Sequence, residues 1–267
     1  MFPVLIKIGP LTIHTYGFMM ALGVASGLWF TYVQAKKRGL PAVRIIDMAF
    51  YTIIISLIGA KLALFLGNAS YYTKYPSELL ALARSGGVFQ GGLLAGLVFA
   101  LWYLHRHKIP TWKTADVVAP AIALGHGFGR IGCFSAGCCY GRACSTPLGV
   151  VFSSDYAHNL TGIPIGTPIH PVQLYESALN FLNFVVLFMI LKRKKVDGVV
   201  FSFYIINYSL IRYFTEFYRG DHPAKVILID KASPYLSLTM PQLFCILGII
   251  AGIGLIFFLK KKKKSAA

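Results

Sequence analysis

Seven stretches of this chain, at residues 11–33, 45–67, 87–105, 115–133, 172–191, 198–217 and 240–259, are long and apolar enough to read as helices that cross a membrane. A span needs about 20 mostly apolar residues, because the hydrocarbon core is about 30 Å thick and each helical residue rises about 1.5 Å. Composition agrees: 56% of the residues are hydrophobic and 13% charged, and the mean hydropathy of +0.65 is far from that of a soluble domain. The fourth stretch is the weakest of the seven, since its second half is glycine-rich and holds His126 and Arg130. The N-terminus lacks a charged n-region and a cleavage site leading into a polar domain, so the first apolar segment is expected to be retained.

A formal charge of +17 raises the question of nucleic acid. Such binding needs basic residues on one accessible face of a polar domain. Here they come in short bursts between apolar runs, as in QAKKRGL and LKRKKVDG, so no nucleic-acid partner is expected. Sixteen of the 26 Lys and Arg fall in the first, third and fifth connections and the C-terminal tail, against seven in the N-terminus and the even connections. The positively charged connections stay cytoplasmic. The N-terminus is then outside and the C-terminus inside, which an odd number of spans requires. The two longest polar connections, 134–171 and 218–239, fall on the outer side, where they read as ordered loops forming a small head over a site. The expectation is a single membrane domain, all-α, with about seven transmembrane helices.

Three cations remain inside spans: Lys61, Arg130 and Arg212. An ionisable group at membrane depth costs several kcal/mol unless it snorkels, pairs or faces a wet cavity. Lys61, near the end of its span on a flexible stem, is as readily a snorkelling residue as a ligand. The arginines have companions at helical spacing. His126 precedes Arg130 by one turn, and Tyr208, Arg212, Glu216 and Arg219 recur at steps of four, four and three. Glu216 is placed to neutralise Arg212 or Arg219 in part. A guanidinium fork in such a pocket suits bidentate contact with a phosphate or carboxylate, and the abundant anion at that depth is a phospholipid headgroup.

Several stretches carry a resemblance. GRIGCFSAGCCYG, IHTYGFMMALG, GAKLALFLGN, SGGVFQGGLLAG, HPVQLYES and YSLIRYFTEFYRGD together resemble the motifs of the prolipoprotein diacylglyceryl transferase family over most of the chain. The resemblance implies a bacterial inner-membrane enzyme with its active site toward the outer side. It would move the diacylglyceryl group of phosphatidylglycerol onto the lipobox cysteine of a prolipoprotein, with phosphatidylglycerol, prolipoprotein signal peptides and membrane lipids as its partners, and with no metal or organic cofactor. Residue by residue, Arg130 matches the signature arginine, Arg212 the second essential arginine and Tyr208 its partner. Tyr16 matches the tyrosine of the first span, Gly141 the glycine closing the signature, and Gln173 lies in HPVQLYES. Arg130, Tyr16, Gly141, Glu216, Lys61 and Gln173 make up the expected substrate-binding set.

The chain departs from the family pattern at several of these positions. Gln90 stands where the family has a histidine, and a glutamine cannot take a proton. Lys61 replaces an arginine. In the signature, Cys133 and Ala136 replace asparagines and Cys138 a glutamate. His126 offers a compensating base one turn before Arg130; the alternative is a buried histidine bonded to a carbonyl. His170, at a helix start beside Pro171, reads first as a positioning residue. Arg130, Arg212, Tyr208, His126 and Gln90 are thus the candidate catalytic set.

Four of the five cysteines, Cys133, Cys138, Cys139 and Cys144, lie within 12 residues, whereas Cys245 sits in the last apolar stretch as packing. Their spacing lacks the CxxC knuckles of a zinc site, so metal is not expected. A disulfide fits the oxidising outer face, though not between the adjacent Cys138 and Cys139. A reactive thiol near Arg130 is the other reading. Two alternatives to the transferase are a related enzyme with a different acceptor or lipid donor, and a non-catalytic lipid-binding or thiol-redox membrane protein.

Overall fold

A computed structural model describes residues 3–9, 11–78, 86–221, 226–228 and 238–265. Arg84, Lys225 and Lys231 of the charge pattern, and most of the connection 218–239, lie outside the described residues. The chain is mostly helical. A two-stranded hairpin, β1 (Val4–Ile8) and β2 (Leu11–His14), leads into α1 (Thr15–Lys37). Then come α2 (Ala42–Gly67), the short α3 (Ala69–Lys74), α4 (Phe89–Arg106) and α5 (Thr111–Ala136). The strand β3 (Val150–Val151), α6 (Asp155–Thr161) and β4 (Pro168–Ile169) precede α7 (Val172–Arg193) and α8 (Val199–Glu216). The strands β5 (Val226–Leu228) and β6 (Leu238–Thr239) lead to α9 (Met240–Ser265).

Each of the seven expected apolar stretches is a helix. Five of them, α1, α2, α5, α7 and α9, are long and apolar enough to cross a membrane. The all-α expectation needs correction, since three antiparallel strand pairs accompany the helices. The first stretch also begins late: Leu11 to His14, alternating and rich in β-branched residues, pair back onto the N-terminal strand before the helix starts at Thr15. At its other end α1 closes in a Schellman turn. Gly39 takes φ 66° and the Leu40 N–H donates to the Ala35 carbonyl at 3.0 Å.

The chain divides into two compact units, Met1–Phe30 with Ala115–Ala267, and Thr31–Thr114. In the second unit, α2 and α4 pack backbone to backbone through small residues. A Cβ added to Gly91 would lie 2.8 Å from the Gly59 carbonyl, and one on Gly92 2.9 Å from that of Ser56. Without an added hydrophobic drive between lipid-facing helices, such close approach supplies the packing. Leu57, Leu62, Leu94 and Leu97 point outward, as an apolar surrounding permits.

In the first unit, Phe30, Ala119, Ala121, Ala123, Leu187, Leu191 and Val200 form a core, with Phe184 and Phe188 meeting Phe30 edge-on. Asp116, fully buried on α5, accepts hydrogen bonds from the Gly198 and Phe201 N–H groups at 2.7 and 2.9 Å. It thereby caps the start of α8 from another helix, and it pairs with Lys194 at 2.5 Å. The connection 134–171 has a small core of its own: Phe152, Ala157, Ile163 and Ile169 are buried, with Phe134 and Tyr140 against them.

Candidate functional site

Three helices of the first unit bring the candidate residues together. Arg130 lies in the last third of α5, Arg212 and Glu216 lie near the end of α8, and Glu176 lies in the second turn of α7. Glu176 joins them. Its Oε2 pairs with the Arg130 Nε, while its Oε1 meets the Arg212 Nη1 at 3.2 Å and accepts from the Thr215 hydroxyl at 2.9 Å. Arg212 also pairs through Nη2 with Glu216 at 2.6 Å. Side-chain exposures of 22% for Arg130 and 17% for Arg212, against 4% for Glu176 and 2% for Glu216, set the order of depth. The carboxylates are the buried supports and the guanidinium groups are the accessible layer. Arg130 meets Glu176 through Nε, and its guanidinium stays partly accessible.

Glu176 went unrecognised as a site residue in the sequence, although HPVQLYES contains it. The signal was present: Gln173, Glu176, Ser177, Asn180 and Asn183 are all buried and recur at helical spacing down α7. This polar face is knitted to its neighbours. Ser177 donates to the Gly127 carbonyl at 2.9 Å, and Asn207 to the Asn183 amide oxygen at 2.9 Å.

His126 packs its ring against Tyr208 at 5.0 Å between centroids and Tyr204 at 6.5 Å, and the two tyrosines stack at 5.9 Å. The His126 Nδ1 is buried with no hydrogen-bond partner among the described residues. Tyr16, on the first turn of α1, lies against α5, where a Cβ on Gly132 would be 3.2 Å from the Tyr16 ring and 3.3 Å from its carbonyl. The glycine at that position is what admits the tyrosine. Tyr16 is also within electrostatic reach of Arg130 and of three cysteines.

Other expected residues take up supporting positions. Gly141 pairs with Arg219 in an isolated bridge, and the Arg142 N–H donates to the Tyr218 carbonyl at 2.9 Å. A Cβ on Gly141 would collide with the His170 carbonyl. The glycine therefore lets three backbone segments meet. Gln173, buried, donates from Nε2 to the Cys138 carbonyl at 2.9 Å and so holds the loop rather than pointing to open space. His170 faces the Tyr175 hydroxyl at 3.4 Å and the Tyr218 ring at 5.0 Å. The expected stripe of α8 reaches only to Glu216. Arg219 lies in the turn beyond and forms a two-point pair with Asp221 at 2.9 and 2.5 Å. Lys61 on α2 and Gln90 at the start of α4 belong to the other unit, Gln90 exposed and Lys61 half-buried.

All five cysteines are free thiols. Cys144 is buried with its Sγ 3.1 Å from the Thr146 hydroxyl. Cys133, Cys138 and Cys139 converge, their Sγ atoms within 4.8 Å of one another. The Cys138 thiol donates to the Cys133 carbonyl at 3.7 Å, and Arg219 and Arg130 lie within electrostatic reach of Cys139. The described residues hold acidic, basic and thiol groups able to bind a phosphate and to stabilise a thiolate.

A family model described as prolipoprotein diacylglyceryl transferase matches residues 3–258. The chain is 35% identical over 236 residues to a phosphatidylglycerol–prolipoprotein diacylglyceryl transferase of Clostridium tetani, covering 88% of this chain and 92% of that one. It is 32% identical over 261 residues to the enzyme of that name from Bacillus velezensis, with 97% and 93% covered. It is also 32% identical over 265 residues to that from Geobacter sulfurreducens, with 98% and 96% covered.

Proposed function

The chain belongs to the prolipoprotein diacylglyceryl transferase family, and on that premise we propose that it moves the diacylglyceryl group of phosphatidylglycerol onto the lipobox cysteine thiol of a prolipoprotein. The observation that carries this reading is the meeting of Arg130 and Arg212, from separate helices, at one buried carboxylate, Glu176. In the reaction the sulfur bonds to the glyceryl carbon as the bond from that carbon to the phosphate oxygen breaks. The phosphate leaves on glycerol, and its charge rises from about −1 to about −2 as the diester becomes a monoester. Cations already aimed at those oxygens stabilise the transition state more than the ground state, which is what accelerates the step. Arg130 offers its partly accessible guanidinium, and Arg212 shares the same carboxylate. Glu176 and Glu216 fix both forks without filling the accessible side.

The acceptor must lose a proton to become the nucleophile. We assign that proton to His126, one turn from Arg130 and with Nδ1 unpaired among the described residues. Tyr208 holds the imidazole ring from one side. Tyr16, against α5, and Gln173, bonded to the Cys138 carbonyl, shape the lipid and loop contacts. In this reading seven helices span the bacterial inner membrane, with the N-terminus outside and the C-terminal segment that carries Lys260 to Lys264 inside. The connections 134–171 and 218–239 make a small head on the outer side, where the lipobox arrives.

The test uses purified protein in phosphatidylglycerol vesicles with a lipobox peptide carrying its cysteine, or serine in its place. Mass spectrometry should find a diacylglyceryl adduct on the cysteine peptide alone. Well-folded protein that yields no adduct would overturn the assignment.

A further inference from the structure

We infer that Cys133, Cys138 and Cys139 form a binding site for one thiophilic divalent ion of the zinc class, with a fourth position left to solvent or an incoming ligand. The three Sγ atoms already lie within 4.8 Å of one another. Zinc held by thiolates at about 2.3 Å keeps tetrahedral sulfurs about 3.8 Å apart, so the trio needs to draw in by about 1 Å at most. Three thiolates and one open position is a recurrent zinc arrangement, and soft sulfur ligands disfavour magnesium and calcium.

The local chain is built for this convergence, which the C-x4-CC spacing alone does not announce. Cys133 sits one turn from the end of α5. The Cys138 N–H returns to the Cys133 carbonyl at 3.1 Å. Gly137 at φ 78° and Cys139 at φ 60° both take the left-handed conformation, which folds the chain back over the helix end. For Cys139, a residue with a Cβ, that conformation is uncommon. Gln173 fixes the turn by its hydrogen bond to the Cys138 carbonyl at 2.9 Å.

The electrostatics are consistent with an anionic cluster. Three thiolates around a divalent ion carry a net charge of about −1. Arg130 lies within electrostatic reach of Cys133 and Cys139, and Arg219 within reach of Cys139. A disulfide explains the geometry less well. It joins two sulfurs and has no use for the third, and the adjacent pair Cys138 and Cys139 meets the bond's dihedral requirement poorly. Cys144 and Cys245 stand apart from the trio and serve as internal controls. The inference does not depend on lipid transfer, because the ion would bind whether or not the chain moves a lipid.

The experiment uses the full chain, purified anaerobically in detergent without a histidine tag. Bound zinc is counted by elemental mass spectrometry, and cobalt(II) is added to the stripped protein as a spectroscopic reporter. About one ion per chain is expected, with the near-ultraviolet thiolate-to-cobalt band and the visible bands of a tetrahedral ion. Cys133→Ser and Cys139→Ser should abolish the bands, and Cys144→Ser and Cys245→Ser should keep them. Should a serine variant misfold, the wild-type chain decides: zinc should slow alkylation of Cys133, Cys138 and Cys139 together, and a chelator should restore it. The site is refuted by a chain that takes up no ion, by bands that survive both substitutions, or by a disulfide peptide joining two of the three cysteines.

Discussion

Arg130 and Glu176 form an ion pair between α5 and α7, with the guanidinium partly accessible and the carboxylate 4% exposed. That depth order makes Glu176 a positioning residue for both arginines. Substituting it should damage the site and the fold together. Breaking a buried pair by removing one partner costs about 3–5 kcal/mol, because a charge is left behind without compensation. Glu176→Gln retains the Thr215 contact but leaves two guanidinium groups facing a neutral amide. It should lower the unfolding temperature in detergent and reduce transfer by about 100-fold. Wild-type transfer rates in a well-folded variant would refute this role.

The assignment of His126 as base makes a pH prediction. A lipobox thiol ionises near pH 8.5, so a chain without its base depends on solvent hydroxide to make the thiolate. His126→Gln should lose about 100-fold in transfer rate at pH 7 and recover much of it as the pH rises past the thiol's own range. A pH profile parallel to that of the wild type would mean that the ring packs against Tyr208 and does nothing more.

Gly141→Ala tests the meeting of three backbone segments. The added Cβ collides with the His170 carbonyl, and Gly220, whose own Cβ would lie 2.6 Å from the Arg142 nitrogen, has the same problem. Overpacking of this kind costs about 1–3 kcal/mol. Both substitutions should lower thermal stability in detergent, and a neutral result at both would show that the junction has slack.

A matched pair of substitutions tests the packing of α2 against α4. Gly91→Leu places a large side chain where the Gly59 carbonyl would stand 2.8 Å from the first added carbon. Gly67→Ala, at the end of α2, meets nothing within 4 Å. The first should cut the yield of folded protein and the second should leave it unchanged, as read by size-exclusion chromatography of detergent extracts.

Much of this architecture was legible in the chain. All seven apolar runs are helices, and the basic bursts at their ends match helix C-termini such as Lys36 and Lys37 in α1 and Lys192 and Arg193 in α7. Arg212 and Glu216 pair, as their spacing of four along α8 suggested, and Arg130 joins them through Glu176 on α7. The strands were missed because two- to five-residue pairs leave little periodic signal. Glu176 was missed because a carboxylate near a helix start reads as an ordinary dipole partner until its neighbours on other helices are known. Asp116 escaped for the same reason: its partners, Gly198, Phe201 and Lys194, lie more than 75 positions away. The cysteine trio depends on two left-handed residues and a hydrogen bond from Gln173, and spacing encodes none of these.

The central claim is that Arg130 and Arg212 act as one phosphate-binding unit through Glu176, and a double-mutant cycle on transfer rate tests it most directly. Initial rates would be measured in phosphatidylglycerol vesicles for the wild type, Arg130→Gln, Arg212→Gln and the double variant. Residues that act as a unit are strongly non-additive. Each single substitution should cost about 100-fold or more, and the double variant should be little worse than either. Losses that multiply in full would mean that the arginines work at separate places. Single variants that keep wild-type rates would contradict the account altogether.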